Sequence, residues 1–161
     1  MLGGMRPIRT APSVLALVGF IVLCQLAGAT GALLTDARWY RALDRPAWAP
    51  PGAVFGPVWI TLYTLMGIAA WRVWRSDAPT RRTALTWFAI QLVLNAAWTP
   101  VFFGAKSLGG GLVVILALLG CIVMMLAAYA RISRLAAALT VPYLLWVGFA
   151  TALNGALWLR S

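Results

Sequence analysis

Five stretches of this chain, 13–34, 54–71, 83–104, 109–130 and 135–157, contain no Asp, Glu, Lys or Arg. A helix needs roughly 20 apolar residues to cross the hydrocarbon core of a bilayer, and each stretch is of that order. The runs are continuously apolar rather than alternating, so they read as helices that close their own backbone bonds, not as barrel strands. With 63% hydrophobic and 10% charged residues in 161, a soluble domain could not hide that surface from water. The expected fold is all-α and integral to a membrane: one domain, 1–161, built as a bundle of five transmembrane helices.

The net charge of +10 would point to nucleic acid in a water-soluble protein. Here the basic residues flank the apolar runs, where they fit membrane topology and lipid headgroups, and no base-stacking surface accompanies them. The bilayer is therefore the expected partner, and nucleic acid is not. Five spans place the amino terminus, the second link and the fourth link on one side, with Arg6, Arg9, Arg72, Arg75, Arg81, Arg82, Arg131 and Arg134. Arg38, Arg41, Arg45, Lys106 and Arg160 fall on the other. That bias favours a cytoplasmic amino terminus in a plasma-type membrane. Arg6 and Arg9 ahead of the first run, with Leu26-Ala27-Gly28-Ala29 inside it, also resemble a signal peptide. The run is about twice a minimal signal core, so a retained helix is expected.

There is no His, which removes imidazole acid–base catalysis, a His-ligated haem and a usual zinc site. Cys24 and Cys121 lie inside spans and read as small core residues, not as a disulfide or metal pair. Neither a metal site nor an obligatory cofactor is expected.

The links 72–82, 105–108 and 131–134 are short, which makes successive helices antiparallel neighbours. No internal repeat is visible, so an inverted-repeat transporter gains no support. The first link, 35–53, is longer, and long links in compact domains tend to be functional. Pro46, Pro50 and Pro51 stiffen it. Its Trp39, Tyr40 and Trp48 fit anchors at the lipid interface; their clustering with prolines also fits a lid over the mouth of the bundle.

Polar side chains in lipid are costly and usually face the bundle interior. In the third span Gln91, Asn95, Trp98 and Phe102 fall within about 60° of one another at helical spacing. Tyr143, Trp146, Ala150 and Asn154 form a matching stripe in the fifth span, and Trp59, Tyr63 and Met66 one in the second. Amides of this kind hold helices together with about 1 kcal/mol each, and Gln91 and Asn154 fit that role as well as a site. Trp59, Asn95, Trp98, Tyr143 and Trp146 favour an apolar pocket with a few orienting polar groups. Pro100 and Pro142 free backbone carbonyls, which is tolerated where a helix lines a cavity. The face has no carboxylate for a proton relay and no Ser–His or Cys–His pair. It suits a flat aromatic ligand stacked on Trp, with Arg38, Arg41 and Arg45 at the mouth for acidic groups.

At these residues the chain resembles the TspO/MBR family of tryptophan-rich sensory proteins, which includes the translocator protein or peripheral benzodiazepine receptor. The matching motifs are Trp39-Tyr40, Pro46-Ala47-Trp48-Ala49-Pro50-Pro51 and Pro57-Val58-Trp59. They continue with Gln91, Asn95-Ala96-Ala97, Trp98-Thr99-Pro100-Val101-Phe102-Phe103-Gly104, Pro142-Tyr143-Leu144-Leu145-Trp146 and Phe149-Ala150-Thr151-Ala152-Leu153-Asn154. Together they run in order across 31–154.

The resemblance implies a five-helix, usually homodimeric receptor or sensor for porphyrins such as protoporphyrin IX and haem, with a role in tetrapyrrole transport or regulation. Benzodiazepine-type ligands belong to the same implied pocket, beneath the first loop. By matched position it implies Tyr40, Pro50, Trp59, Asn95, Trp98, Trp146 and Ala150 as ligand contacts; Trp48 in the loop and Tyr63 on the second stripe complete the expected set. Alternatives are light-dependent porphyrin degradation, for which Trp59 and Trp146 are the candidates, and translocation of small apolar ligands. No catalytic residue is assigned. Mammalian members carry a proposed cholesterol motif with a Tyr near the end of the fifth helix. Here Leu153-Asn154 is followed by Gly155, so cholesterol is not an expected partner, which fits a bacterial protein. Leu126-Ala127-Ala128-Tyr129-Ala130-Arg131 meets the loose sterol pattern elsewhere. The expected location is a bacterial membrane, multi-pass, with inner and outer not distinguished.

Overall fold

The computed structural model describes residues 10–161; Arg6 and Arg9, counted above toward orientation, lie outside the described residues. The described residues form six α-helices: α1 (Thr10–Leu34), α2 (Ala37–Ala42), α3 (Phe55–Trp74), α4 (Arg81–Thr99), α5 (Leu108–Ala130) and α6 (Arg134–Leu159). All but α2 are long and apolar enough to cross a membrane, and no strand is present among the described residues. The chain is a multi-pass membrane protein built as a five-span bundle, as the apolar runs require.

Side chains close the helix ends that water would otherwise have to satisfy. Asp36 accepts from the backbone N–H of Arg38 (3.1 Å) and Trp39 (2.9 Å), which starts α2 inside the long link. Ser107 and Ser133 cap α5 and α6 by accepting from Gly110 N–H (3.1 Å) and Ala136 N–H (3.2 Å). At the end of α3, Arg81 Nη1 donates to the carbonyls of Trp74 (3.3 Å) and Ser76 (2.9 Å).

The third span departs from a plain helix over 83–104. Its α-helix ends at Thr99, and Pro100–Gly104 forms a π turn in which Ala105 N–H reaches the Pro100 carbonyl at 2.8 Å. Pro100 has no N–H to continue the ladder, so the helix widens there. Lys106, at φ 50°, then turns the chain into α5 in the left-handed region. Pro142 behaves differently, since α6 runs through it unbroken.

Packing closes a ring in the order α1, α3, α6, α5, α4 and back to α1. The short links do make α4–α5 and α5–α6 intimate neighbours, but α3 and α4, also joined by a short link, touch less than each touches α1. The reason is close approach through glycine. A Cβ on Gly67 of α3 would sit 2.7 Å from Ile21 Cα, and one on Gly28 of α1 would overlap the Tyr63 ring. With little hydrophobic drive between helices in lipid, such backbone proximity supplies the dispersion contact that holds them. Ala69, Ala70, Ala84 and Ala136 are wholly buried at the same kind of contact, around Met66, Met125 and Tyr129.

Candidate ligand-binding site

In the middle of the bundle a chain of hydrogen bonds ties three helices. Tyr63 OH on α3 donates to Asn95 Oδ1 on α4 at 2.7 Å. Asn95 Nδ2 donates to Tyr143 OH on α6 at 2.9 Å, and Tyr143 OH donates to Gln91 Oε1 at 2.9 Å. Gln91 Nε2 ends the chain on the Met66 sulfur at 3.1 Å. All of these side chains are buried, and each polar atom left alone in that setting would cost free energy. Helical spacing explains the arrangement: Gln91 and Asn95 are four residues apart on one face of α4.

Aromatic rings fill the space between this chain and the long link. Trp59 stacks on Tyr63 with centroids 5.2 Å apart and planes at 22°, and meets Trp146 edge-on at 6.5 Å and 89°. Phe55 and Phe149 flank Trp146 at 5.7 and 5.5 Å, and Trp48 from the link reaches Phe149 at 5.7 Å. A second group is centred on the π turn. Trp98 stacks on Phe102 at 4.7 Å, and Trp39 of α2 packs on Phe102 and Phe103 at 5.5 and 5.9 Å. Tyr40 joins the groups, touching Phe55 at 6.3 Å and Phe103 at 6.1 Å. Edge-to-face and offset contacts of this kind each add about 1 kcal/mol beyond area burial.

Within that aromatic layer two polar atoms are buried and have no hydrogen-bond partner among the described residues, Tyr40 OH and Trp146 Nε1. Native folds rarely leave such atoms unanswered without a reason in water, ion or ligand binding. Burial raises the Tyr40 phenol above its ordinary value of 10.0, opposed by Arg45, whose guanidinium lies 5.5 Å from the ring centroid. Two ion pairs hold the link down: Asp36 to Lys106 and Asp44 to Arg160, each at 3.5 Å. The backbone N–H of Trp39, followed by Lys106, holds the Asp36 carboxyl below its ordinary 3.8. Arg38, Arg41 and Arg45 make no ion pair among the described residues, so this end keeps free positive charge above the aromatic layer.

The expected site residues are distributed as follows. Tyr40, Trp59, Tyr63 and Trp146 come together through direct ring contacts or through Phe55. Asn95 is beneath them with both ends of its amide engaged. Trp98 belongs to the π-turn group, and its Nε1 donates to Asn154 Oδ1 at 3.3 Å. Asn154 in turn donates to the Leu108 carbonyl at 2.8 Å, so it ties α4, α5 and α6. Pro50 and Ala150 are half-buried, while Trp48 is 51% exposed. Phe55, Phe149 and Phe103 were not among the expected residues. Helical spacing carried the signal for Phe55, four residues before Trp59, and for Phe149, three after Trp146. Tyr129, the aromatic of the loose sterol pattern, is wholly buried, which withdraws its ring from the lipid face. Cys24 and Cys121 are unpaired, and no cluster of metal-ligating side chains occurs among the described residues.

These features define a five-span helical membrane protein with a layer of aromatic rings under its first extramembrane link. The family model of the TspO/MBR family matches residues 20–159. The translocator protein of Homo sapiens is 42% identical over 124 residues, covering 75% of this chain and 73% of that protein. The tryptophan-rich sensory protein of Cereibacter sphaeroides is 39% identical over 135 residues, covering 84% of each. Protein CrtK of Rhodobacter capsulatus is 37% identical over 141 residues, covering 86% of this chain and 88% of the relative. The chain belongs to the TspO/MBR family.

Proposed function

We propose that this protein is a membrane receptor for a planar tetrapyrrole of the porphyrin type, bound among Tyr40, Trp59, Trp146 and their neighbours beneath the first link. The observation that carries the reading is the pair of buried, unpartnered polar atoms, Tyr40 OH and Trp146 Nε1, set in a layer of aromatic rings. A large flat π system gains stacking area from the indoles, and acceptors at its edge answer the two orphan groups. Arg38, Arg41 and Arg45 offer charge-assisted bonds to ligand carboxylates at the mouth. The polar chain through Asn95 serves as the rigid floor. Trp48 and Pro50 contribute from the link, Trp98 and Ala150 from the walls. Sensing or movement of the tetrapyrrole then follows from how the link responds to occupancy.

Titration of the detergent-solubilised protein with protoporphyrin IX, read as quenching of tryptophan emission, tests this. In Trp59→Ala/Trp146→Ala, loss of both stacking partners is expected to weaken binding at least tenfold, roughly the worth of one good stacked ring. An unchanged affinity in a folded double variant rejects the site.

A second reading, light-dependent consumption of porphyrin, is favoured by the perpendicular contact of two electron-rich indoles, Trp59 and Trp146. It requires bleaching under illumination in air that exceeds free porphyrin and disappears in Trp59→Phe or Trp146→Phe. Equal bleaching by all three proteins removes it.

A further inference from the structure

At the opposite end of the bundle from the link, an open cleft of about 280 Å³ is lined by Trp71, Arg72, Arg75 and Ser76. We propose that this cleft holds the phosphate group of an anionic glycerophospholipid. The first reason is depth. The membrane-length segment Gly52–Trp74 ends here, so the cleft lies where lipid headgroups begin. Trp74, 41% exposed, packs on Phe20 of α1 at 6.1 Å in the manner of an interfacial anchor.

The second reason is unanswered charge. The chain has only three acidic residues, Asp36, Asp44 and Asp77. Two of them are committed to Lys106 and Arg160 beside the link, and Asp77, which follows Ser76, makes no ion pair among the described residues. Arg72 and Arg75 are exposed and make no ion pair among the described residues. Nearby Arg81 is already used on the carbonyls of Trp74 and Ser76.

Construction of the cleft is the third. The Arg75 guanidinium sits 4.8 Å from the Trp71 ring centroid, a cation–π contact, and its N–H groups make no hydrogen bond among the described residues. Trp71 is itself locked, donating from Nε1 to the Ser13 carbonyl at 2.8 Å. Arg72 and Arg75, three residues apart, share one side of α3 and together suit the several oxygens of a phosphate better than a single carboxylate. A lipid rather than free phosphate is the occupant because exposed Val14, Leu15 and Val18 of α1 offer acyl chains a surface beside the cleft.

Native mass spectrometry of the full-length protein, titrated in detergent with dioleoyl phosphatidylglycerol or dioleoyl phosphatidylcholine, tests the proposal. Selective retention of the anionic lipid is expected. Arg72→Gln/Arg75→Gln should weaken it at least tenfold, because both direct charge-assisted contacts to the phosphate are lost. The control Arg131→Gln/Arg134→Gln removes the same charge from the same side and should stay within about twofold. Equal losses in both double variants would reduce the effect to a diffuse positive field and overturn the site. Equal retention of the two lipids would overturn it as well. Displacement of the lipid by inorganic phosphate would overturn the lipid as occupant.

Discussion

Asn95 joins three helices through one side chain, because its amide on α4 answers Tyr63 on α3 and Tyr143 on α6. Asn95→Ala removes both bonds and leaves the Tyr63 hydroxyl alone in the core, while Tyr143 keeps Gln91. The expected cost is about 1–2 kcal/mol, read as a lowered unfolding temperature in detergent, with Gln91→Ala in the same direction. A variant as stable as the parent would mean that the chain of bonds is incidental. The face shared by Gln91, Asn95, Trp98 and Phe102 was legible in sequence, since helical spacing alone aligns them. Their partners were not. That Asn95 would be saturated by two tyrosines, or that Trp98 would turn to Asn154, depends on how α3 and α6 are rotated, which spacing within one helix does not encode.

Among the elements, the crossing of α1 and α3 is set by glycine. At Gly67 an added methyl meets the Ile21 backbone, which has no flexible side chain to yield. Gly67→Ala should therefore push the helices apart and cost about 1–3 kcal/mol, measured by thermal or denaturant unfolding. A neutral effect would show that α1 slides freely on α3. The link is the other element on which the proposed site depends, and two ion pairs hold it. The Asp36 carboxyl is held below 3.8 in the folded state, so its contribution is complete above that value and lost as the pH falls through its lowered one. Protection of the α2 amides, taken relative to their intrinsic exchange rate at each pH, should thus hold near neutral pH and fall in acid as Asp36 is protonated. Asp36→Ala should show fast exchange at neutral pH, and Asp36→Asn, which still caps the helix, should lie between. Exchange that ignores Asp36 altogether would contradict the tie. Sequence made the link's length and stiffness plain. It did not reveal α2 within it, because six residues are too few for hydrophobic periodicity to register. Nor did it reveal the π turn, where Pro100 marks a break without saying whether the chain tightens, kinks or widens.

Across the whole molecule, bilayer thickness makes the architecture legible: five charge-free runs of spanning length leave few alternatives. The ring order α1, α3, α6, α5, α4 was beyond reach, since it depends on which helices carry glycine and alanine at facing depths. The two ends differ in chemistry. One, with the link, pairs both of its Asp residues and sets free arginines over a layer of aromatic rings. The other is more heavily basic and has an arginine-lined cleft at headgroup depth. The tetrapyrrole site we propose belongs to the first end. The most direct measurement is the indole N–H spectrum of the nitrogen-15-labelled protein during titration with protoporphyrin IX, because ring currents move only resonances close to the bound macrocycle. We expect Trp59 and Trp146 to shift strongly, with Trp146 Nε1–H moving as it gains a partner, while Trp71, Trp74 and Trp87 stay in place. A spectrum in which Trp71 and Trp74 move and Trp59 and Trp146 do not would contradict the site beneath the link.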